Sequence, residues 1–489
     1  MATPQPDAAR FALARFGLGV RANQSEADLR AIGRDPRGAL IAELEAPATQ
    51  LSAELKSSDE AGAILRTLQM QQRQARAAAA NAAPAPAMAA EAAAPPAGGM
   101  TPAPTSTAPA AAMPAAPAGR PPPTPVEEIV RAELASRYAR ACEADLGLNE
   151  RLVWFWSNHF CISADKGGLV RIMAGAYERE VIRRHLADDF SAMLMASARH
   201  PAMLLYLDNG RSVGPNSPAG RRQNRGLNEN LAREILELHT LGVRTGYEQH
   251  DVTAFATVLT GWTMSNPGDV DALPFRFRFN PRTHEPGPKT VLGSTYPEGE
   301  AGGLRLLADL AVHPATARHV ATKLVRHFVS DDPPAALVAT VEAAFLKSRG
   351  RLRQTVRALI EAPEAFAAPP AKLRPPAEWI VALHRGLGLS PEPQRLQRSL
   401  TILGQPTWRV PSPQGWPDET APWMDGLVQR VDIAHLAVRA ARLSGSPFAV
   451  AEQLLGTGAS EATAEAIRRA ETPQQALTIA VMSPEFLRR

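Results

Sequence analysis

The sequence predicts an all-α protein: a multi-helix globular domain with one small β hairpin and a disordered insert rich in Ala and Pro. Three observations predict this class. Apolar residues recur at helical spacing along most of the 489 residues. Hydrophobic residues make up 45% of the chain, and few of them are aromatic. A core built from Leu, Val, Ile and Ala is therefore expected. The strict alternation that is typical of a strand occurs convincingly only at 275–279.

The N-terminal region, 1–76, is predicted to be a helical segment that packs on the main domain. Glycine and proline turns and helix-favouring residues predict its helices at 8–19, 25–32, 36–44 and 49–76. Residues 77–125 are a low-complexity tract of Ala, Pro, Gly, Ser and Thr. It has too few large apolar side chains to offset the entropy of ordering, so we expect a disordered, partly polyproline-like linker.

Residues 126–489 are predicted to form the main helical domain. Helices are expected at 126–160, 228–242, 251–262, 313–330, 334–348, 351–360 and 372–386, with one or two more over 168–197. An irregular stretch at 403–423 and a helical C-terminal end follow. Asp251 and Pro314 are residues typical of the start of a helix. The alternating residues 275–279 are expected to pair with 289–292, which gives one hairpin near 275–292.

Charge and composition exclude several classes of function. Lys and Arg number 53 against 49 Asp and Glu, without a basic and aromatic stripe, so no nucleic-acid partner is expected. Cys142 and Cys161 lack zinc-finger spacing, and we interpret them as two buried thiols, with one disulfide as the alternative. Residues 1–20 contain no uninterrupted apolar run, and no transmembrane segment is evident. A cytoplasmic protein is expected, or a periplasmic or exported one if a leader is missing.

The stretch 228–242 combines many ionisable groups with an apolar helical stripe. On a helical wheel of about 100° per residue, the stripe consists of Leu231, Ala232, Ile235, Leu236 and Leu238. His239 falls within this stripe, where burial lowers the pKa of an imidazole and keeps it neutral. Asn230, Glu234 and Glu237 lie together on one flank, where side chains line a cleft.

We predict Glu234 and Glu237 as catalytic residues. They are one helical turn apart, near enough for their protonation to be coupled. If they are partly buried, one has a raised pKa and serves as general acid while the other serves as base. The plainer alternative is an i,i+4 ion pair between Arg233 and Glu237, with Glu234 paired to another arginine.

Two histidines are predicted to assist these glutamates. His159 ends an aromatic-rich stretch and is expected to reach a cleft, unless it only caps its helix. His284, beside Glu285 in the hairpin loop, is a candidate proton shuttle, unless it lies in an exposed turn. The predicted substrate-binding residues are polar or charged: Asn158, Asp208, Asn228, Glu229, Asn230, Arg233, Lys289 and Lys323.

Lys323 recurs with His319 and His327 every four residues, on the polar face of the helix at 313–330. A solvated face is the plainer interpretation of this spacing. The sharper hypothesis is that Lys323 reaches an anionic group in a shared cleft.

The sequence indicates no cofactor, and we assign no metal ligand. The Glu-x-x-His and His-Glu-x-x-His signatures are not met, and the serine-hydrolase elbow and the Walker loop are absent. A mixed site built from Glu234, Glu237 and a distant His159 or His284 stays open, and hard cations with oxygen ligands would suit it best.

Several strings of residues resemble one bacterial family, domain of unknown function 1800. They are W-S-N-H-F at 156–160, H-P-A-M-L-L-Y-L-D-N at 200–209, N-E-N-L-A-R-E-I-L-E-L-H-T-L-G at 228–242, Y-E-Q-H-D-V at 247–252, L-T-G-W at 259–262, H-P-A-T-A-R-H-V-A-T-K-L-V-R-H-F at 313–328 and S-P-E-F-L-R-R at 483–489. The resemblance spans nearly the whole chain apart from the insert.

What the resemblance implies is a largely α-helical fold and, for many members, export, often beside a second uncharacterised family that resembles sulfatases. It implies no activity. This chain departs from the pattern in that residues 1–20 show no clear leader, and in having His284 followed by Glu285 where relatives tend to have His-Asp.

Three functions are compatible with these residues. The first is a hydrolase-like acid/base enzyme that acts on a polar polymer or glycan, with Glu234 and Glu237 as acid and base. The second is a non-catalytic helical scaffold or accessory binding protein of the cell envelope, whose partner is a protein or an envelope polymer. In that case 228–242 is a buried polar network that fixes helix packing. The third is a metal-binding protein.

Overall fold

The computed structural model describes residues 8–47, 54–82, 122–223, 226–266, 274–442 and 446–489. This part of the chain is mostly helical, so the predicted all-α class is confirmed. Its α-helices are α1 (Ala8–Arg15), α2 (Glu26–Arg34), α3 (Pro36–Glu45), α4 (Ser58–Ala82), α5 (Pro125–Glu143), α6 (Leu148–His159), α7 (Gly168–Tyr177), α8 (Phe190–Arg199), α9 (Pro201–Tyr206), α10 (Gly220–Gln223), α11 (Asn230–Glu234), α12 (Gln249–Leu259), α13 (Glu300–Ala311), α14 (Pro314–Phe328), α15 (Ala335–Ser348), α16 (Leu352–Glu361), α17 (Pro376–Leu387), α18 (Pro393–Ile402), α19 (Leu427–Ala440), α20 (Pro447–Leu455), α21 (Glu461–Arg468), α22 (Pro473–Met482) and α23 (Pro484–Leu487). None of these helices is both long enough and apolar enough to cross a membrane.

Shorter elements complete the described secondary structure. Two segments are π-helical, Glu178–Arg183 and Ile235–His239. Single 3-10 turns occur at Ala164–Lys166, Asn209–Arg211, Pro363–Phe366, Ala421–Trp423 and Gly456–Gly458. The strands are β1 (Trp262–Met264), β2 (Phe277–Phe279), β3 (Lys289–Val291) and β4 (Ser294–Tyr296).

Caps fix the helix boundaries of the N-terminal segment. Ser25 and Asp28 form a capping box at the start of α2, and Asp35 caps α3. The first helix ends at Arg15, before the predicted glycines, and α4 begins at Ser58, later than predicted.

The linker predicted at 77–125 is too long at both ends. Helix α4 continues to Ala82, and a capping box formed by Thr124 and Glu127 starts α5. Both corrections have a local cause, because Ala favours helix and a Thr-Pro start is a strong N-terminal signal. The disorder predicted between these helices, at 83–121, lies outside the described residues.

A glycine divides one predicted helix into two. The sequence predicts a helix over 126–160, but α5 ends before Gly147, whose φ of 90° favours glycine. The carboxylate of Glu43 then accepts backbone N–H bonds from Leu146, Gly147 and Asn149, at 2.9, 3.2 and 3.0 Å, as α6 begins. The break makes α6 a separate element, and its C-terminal end carries His159.

The described β structure is two strand pairs rather than one hairpin. β2 pairs antiparallel with β1, so that Phe279 aligns with Trp262, and β3 pairs with β4. The predicted pairing of 275–279 with 289–292 is therefore wrong. Leu292 and Gly293, between β3 and β4, both have positive φ. This is the geometry of a tight two-residue hairpin, so β3 pairs with the segment that directly follows it.

Buried arginines connect the N-terminal segment to the main domain. Arg385 donates to the carbonyl oxygens of Ala144, at the C-terminal end of α5, and of Gly19, at 2.6 and 3.1 Å. Arg151 donates to the carbonyl oxygen of Arg15 at 2.7 Å. Helix C-termini leave carbonyl groups without intrahelical partners, and a guanidinium group with several donors satisfies them.

Both cysteines are free thiols, so the alternative of a disulfide is wrong. Cys161 is buried, and Cys142 is partly buried. Burial raises the pKa of each thiol to about 12, which leaves both uncharged at neutral pH.

Candidate functional site

Four of the predicted site residues line one cavity of about 550 Å³. They come from three separate elements: Asn158 and His159 end α6, Glu237 lies in the second π segment, and Lys323 lies in α14. The irregular chain at 405–419 supplies much of the remaining wall. Ligand pockets commonly measure about 300–1,000 Å³, so this cavity is large enough for a small molecule or part of a polymer.

Aromatic packing holds the end of α6 in place. Trp156 is fully buried, and the ring of His159 lies edge-on to it and to Phe160, with centroid distances of 5.3 and 4.6 Å. Asn158 donates from Nδ2 to the carbonyl oxygen of Trp416 at 2.9 Å, and its Oδ1 accepts the Trp416 N–H at 2.7 Å. Asn158 therefore fastens the irregular chain to α6, with both ends of its amide in use.

The second π segment changes which side chains of 228–242 face the cavity. A π-helical turn has i→i+5 hydrogen bonds and often occurs at functional sites. Buried positions accordingly recur every four residues, as pairs: Leu231 and Ala232, Ile235 and Leu236, His239 and Thr240. The α-helical wheel placed His239 correctly but Leu238 wrongly, because Leu238 is only partly buried and lines the cavity with Glu237.

Two backbone carbonyl groups at the end of the π segment bind imidazole rings. Nε2 of His159 donates to the carbonyl oxygen of His239 at 3.0 Å, and Nε2 of His319 donates to that of Leu238 at 3.1 Å. A neutral imidazole with its proton on Nε2 has a lone pair on Nδ1. In the described chain, Nδ1 of His159 is buried without a hydrogen-bond partner.

Burial keeps these imidazoles neutral. It lowers the pKa of His159 well below its usual range, that of His239 to about 3 and that of His319 to about 4. The positive charge of Lys323 lowers each of these pKa values further. The ring centroids of His239 and His319 lie 6.1 and 6.0 Å from that of His159. We call Lys323 with these three histidines the cavity cluster.

Lys323 is the cation of the cavity cluster. Its side chain is partly exposed to the cavity and makes no hydrogen bond or ion pair with any residue that the structure describes. Burial lowers the pKa of Lys323, and the charge of Arg326 acts in the same direction, while Cys161 and Asp418 oppose them. An enclosed charge without a partner is costly, and such groups occur at functional sites.

The two predicted catalytic glutamates have different surroundings. Glu237 lines the cavity and forms an ion pair with Arg233 at 3.5 Å, the i,i+4 pair that the sequence allowed. Arg233 also pairs with Glu229 at 2.9 Å. Glu234 is absent from the cavity lining and has no ion pair with a described residue. Burial raises the pKa of Glu234, and the charge of Glu237 raises it further against the opposing charge of Arg233.

A fully paired carboxylate forms another wall of the cavity. Glu178 accepts hydrogen bonds from Arg137, Ser157 and Trp408 at 2.9, 3.0 and 3.2 Å. Burial acts to raise the pKa of Glu178, but the charges of Arg137 and Arg183 bring it below its usual value. The ionised carboxylate thus holds Trp408, whose φ is +55°, in place.

His327 and Asp418 line this cavity and form a structural pair. Nδ1 of His327 is 3.0 Å from Asp418, and Nε2 lies 3.1 Å from Arg151 and 3.4 Å from Arg489. Arginine can only donate, so Nε2 accepts and Nδ1–H donates to Asp418. The nitrogen that would take a proton from a substrate is therefore occupied by arginine donors.

Eight of the predicted site residues are not part of the cavity lining: Asp208, Asn228, Glu229, Asn230, Arg233, Glu234, His284 and Lys289. Asp208 forms an ion pair with Lys166 at 2.5 Å. Asn228 accepts the backbone N–H of Asn230 at 2.9 Å, at the start of α11. These bonds position the chain that leads into the π segment.

His284 and Lys289, which we call the loop cluster, bind each other and the adjoining backbone. Nδ1–H of His284 donates to the carbonyl oxygen of Thr260 at 2.7 Å, and Nε2 accepts the N–H of Gly299 at 3.0 Å. Nζ of Lys289 lies 3.2 Å from Nε2 of His284 and donates to the carbonyl oxygen of Glu285. Both ring nitrogens of His284 are in use, so the ring holds the loop together.

Within the described ranges, no group of three or more His, Cys, Asp or Glu side chains has the arrangement needed to hold a metal ion. The mixed site considered from the sequence combines Glu234 and Glu237 with His159 or His284. The structure places His159 at the cavity and His284 in the loop cluster.

Residues 11–488 match the model of a family described as protein of unknown function, DUF1800. The chain belongs to this family. The resemblance seen in the sequence is thereby confirmed over nearly the whole length of this DUF1800 chain, including every residue that lines the cavity. Neither a curated protein nor a solved structure matches it.

Sequence reasoning missed the cavity residues of the irregular chain at 405–419. Trp408, Trp416 and Asp418 come from this stretch. A signal was present, because a long irregular stretch within a compact domain commonly carries function. Arg137 gave no such signal, since one arginine on a helix resembles any solvated charge.

Proposed function

We propose that this DUF1800 protein is a hydrolase-like acid/base enzyme that acts on a glycan or another polar polymer. The proposal is supported by one observation, the convergence of Glu237, Lys323 and His159 on a single cavity. A carboxylate and an amine that face the same ligand can move protons and donate hydrogen bonds to it.

Glu237 is the proposed acid/base residue. It faces the cavity, and Glu234 lies close enough for the charges of the two carboxylates to interact. Burial and the charge of Glu237 raise the pKa of Glu234, which favours a protonated carboxyl group beside Glu237.

His159 is proposed as a positioning residue. Its free Nδ1 is buried away from solvent, while its Nε2 holds the carbonyl oxygen of His239. It thereby fixes the π segment that presents Glu237 to the cavity.

The lining supports a sugar-like substrate. Trp154, Trp408 and Trp416 line the cavity together with the amine of Lys323 and the carboxylate of Glu237. Indole rings offer broad apolar faces for the C–H face of a sugar, and the polar groups are suited to its hydroxyl groups.

The test compares Glu237→Gln with Glu229→Gln. Wild type and both variants are incubated with chitin, cellulose, pectin and peptidoglycan, and release of soluble reducing ends is measured. Glu229 is the matched control, because it also pairs with Arg233 but does not line the cavity. We expect wild type and E229Q to cleave one of these polymers, and E237Q to be slower by about 100-fold or more.

Two outcomes contradict the proposal. If E237Q is fully active, Glu237 takes no part in the reaction. If wild type cleaves none of the four polymers, the proposed glycan substrate is wrong. The scaffold alternative is favoured by the fully paired carboxylate of Glu178. It predicts a strongly lowered melting temperature for E237Q, whereas a cavity-facing catalytic group predicts an unchanged or raised one.

A further inference from the structure

One lysine differs from all the others in its surroundings. The chain has six lysines: Lys56, Lys166, Lys289, Lys323, Lys347 and Lys372. Lys56 and Lys347 are exposed. Lys166 and Lys372 form ion pairs with Asp208 and Asp331, each at 2.5 Å, and Lys289 belongs to the loop cluster. Lys323 is enclosed and has no partner in the part of the chain that the structure describes.

The groups that surround Lys323 do not stabilise its positive charge strongly. The rings of the cavity cluster are neutral, and Cys161 is an uncharged thiol. Arg326 adds a second positive charge. The two carboxylates that act on Lys323 have other partners: Asp418 binds His327, and Glu419 lies 3.8 Å from Arg326.

We propose that Lys323 is a nucleophilic amine that forms an imine with a small aldehyde or ketone bound in the cavity. The lone pair of Nζ forms a bond to the carbonyl carbon, and the carbonyl π electrons move to oxygen. The two amine protons end on that oxygen, which leaves as water, and a C=N bond remains. No oxidant or reductant is consumed. The step is independent of polymer hydrolysis, since it requires only Lys323 and the cavity.

A neutral amine is the reactive form, and the surroundings of Lys323 favour it. Burial lowers the pKa of Lys323, and each unit of lowering increases the neutral fraction at pH 7 about tenfold. Exposed Lys347 has no comparable enclosure.

Arg326 defines the class of carbonyl compound. It lies one helical turn after Lys323, lines the same cavity and is only partly buried. Its separation of 3.8 Å from Glu419 leaves guanidinium donors for another anion. The inferred ligand is therefore a small carbonyl compound that also carries a carboxylate or a similar anionic group.

The experiment traps the imine on the wild-type protein. Protein at pH 7 is treated with glyoxylate and cyanoborohydride, which reduces an imine to a stable secondary amine, and mass spectrometry of peptides measures modification at each lysine. A second arm uses propionaldehyde, which has no anionic group. We expect modification of Lys323 to be at least about tenfold faster than that of Lys347, and faster with glyoxylate than with propionaldehyde.

Lys323→Arg and Lys289→Arg are the matched variants. K323R keeps a positive charge but cannot form the imine. K289R changes the other lysine whose pKa is lowered by burial, and we expect Lys323 to react in it as in wild type. Modification of Lys323 no faster than that of Lys347 overturns the proposal, and this comparison within wild type does not depend on any variant folding. Equal rates with the two aldehydes overturn the anionic class, and trapping that persists in E237Q separates this reaction from polymer cleavage.

Discussion

The cavity cluster and the loop cluster contain the same kinds of side chain in opposite states. Each has a buried histidine and a lysine whose pKa is lowered by burial. In the loop cluster, His284 and Lys289 bind each other, the backbone of Thr260 and the backbone of Gly299. Lys323, in the cavity cluster, has no partner within the described ranges.

This difference separates a structural role from a functional one. Buried polar groups that are fully hydrogen-bonded stabilise the structure around them, whereas unpaired ones weaken it. Lys289 therefore acts as part of the fold. Lys323 is a group whose partner is expected to be a ligand, because no described residue supplies one.

Replacement of His284 by Ala is expected to have the largest effect on stability. The change removes the acceptor of the Gly299 N–H and the donor to the Thr260 carbonyl oxygen, and it leaves a void in a buried loop. We expect the free energy of unfolding in urea to fall by about 3 kcal/mol. His250→Ala, at an exposed side chain, is the control and is expected to change it by less than about 0.5 kcal/mol. A stable H284A protein would show that the loop cluster is not structural.

The pH dependence of stability tests whether the imidazoles of the cavity cluster are neutral in the folded protein. The pKa of His239 is about 3 in the folded protein, below the value of about 6.5 in an unfolded chain. Between these values the unfolded chain binds a proton that the folded protein does not, so stability falls as the pH falls. Between pH 6.5 and pH 5, His239 is expected to account for a loss of stability on the order of 2 kcal/mol.

The corresponding measurement is urea unfolding of wild type, His239→Gln and His250→Gln at both pH values. H239Q should lose less stability than wild type by that amount, and H250Q should behave as wild type because its ring is exposed. Identical losses in wild type and H239Q would mean that the ring of His239 is accessible to protons in the folded protein.

Local patterns predicted the fold well where one residue determines a boundary. Pro314, at the first position of α14, and Asp251, a first-turn acid of α12, both lie where the sequence placed them. The strand that pairs with β2 could not be predicted from a single residue, because strand pairing depends on tertiary packing. The break at Gly147 was missed because a single glycine within a helical pattern is often tolerated.

The candidate site was predictable in part, and the errors have a common cause. Asn158, His159, Glu237 and Lys323 were found because each is a polar residue on a helix with a strong apolar face. The π segment was not predicted, since its wider turn leaves no composition signal, and of the two glutamates only Glu237 lines the cavity. His284 was assigned to catalysis from its residue type, whereas its role depends on which backbone groups come within reach.

Replacement of Lys323 or Lys289 by Met tests the comparison of the two clusters, because the free energy of unfolding is expected to change in opposite directions. Lys323→Met removes an enclosed charge that has no partner among the described residues, and its apolar chain fits the same space, so we expect stability to rise by about 1 kcal/mol. Lys289→Met deletes donors to His284 and to the Glu285 carbonyl oxygen, so stability should fall by about 1–2 kcal/mol. Urea unfolding of both variants measures the direction of each change in the free energy of unfolding.

If both variants were destabilised equally, Lys323 would have a structural role like that of Lys289, and its amine would no longer point to a ligand. Opposite signs instead mean that the fold retains Lys323 at a cost in stability, as is expected of a group kept for binding or reaction.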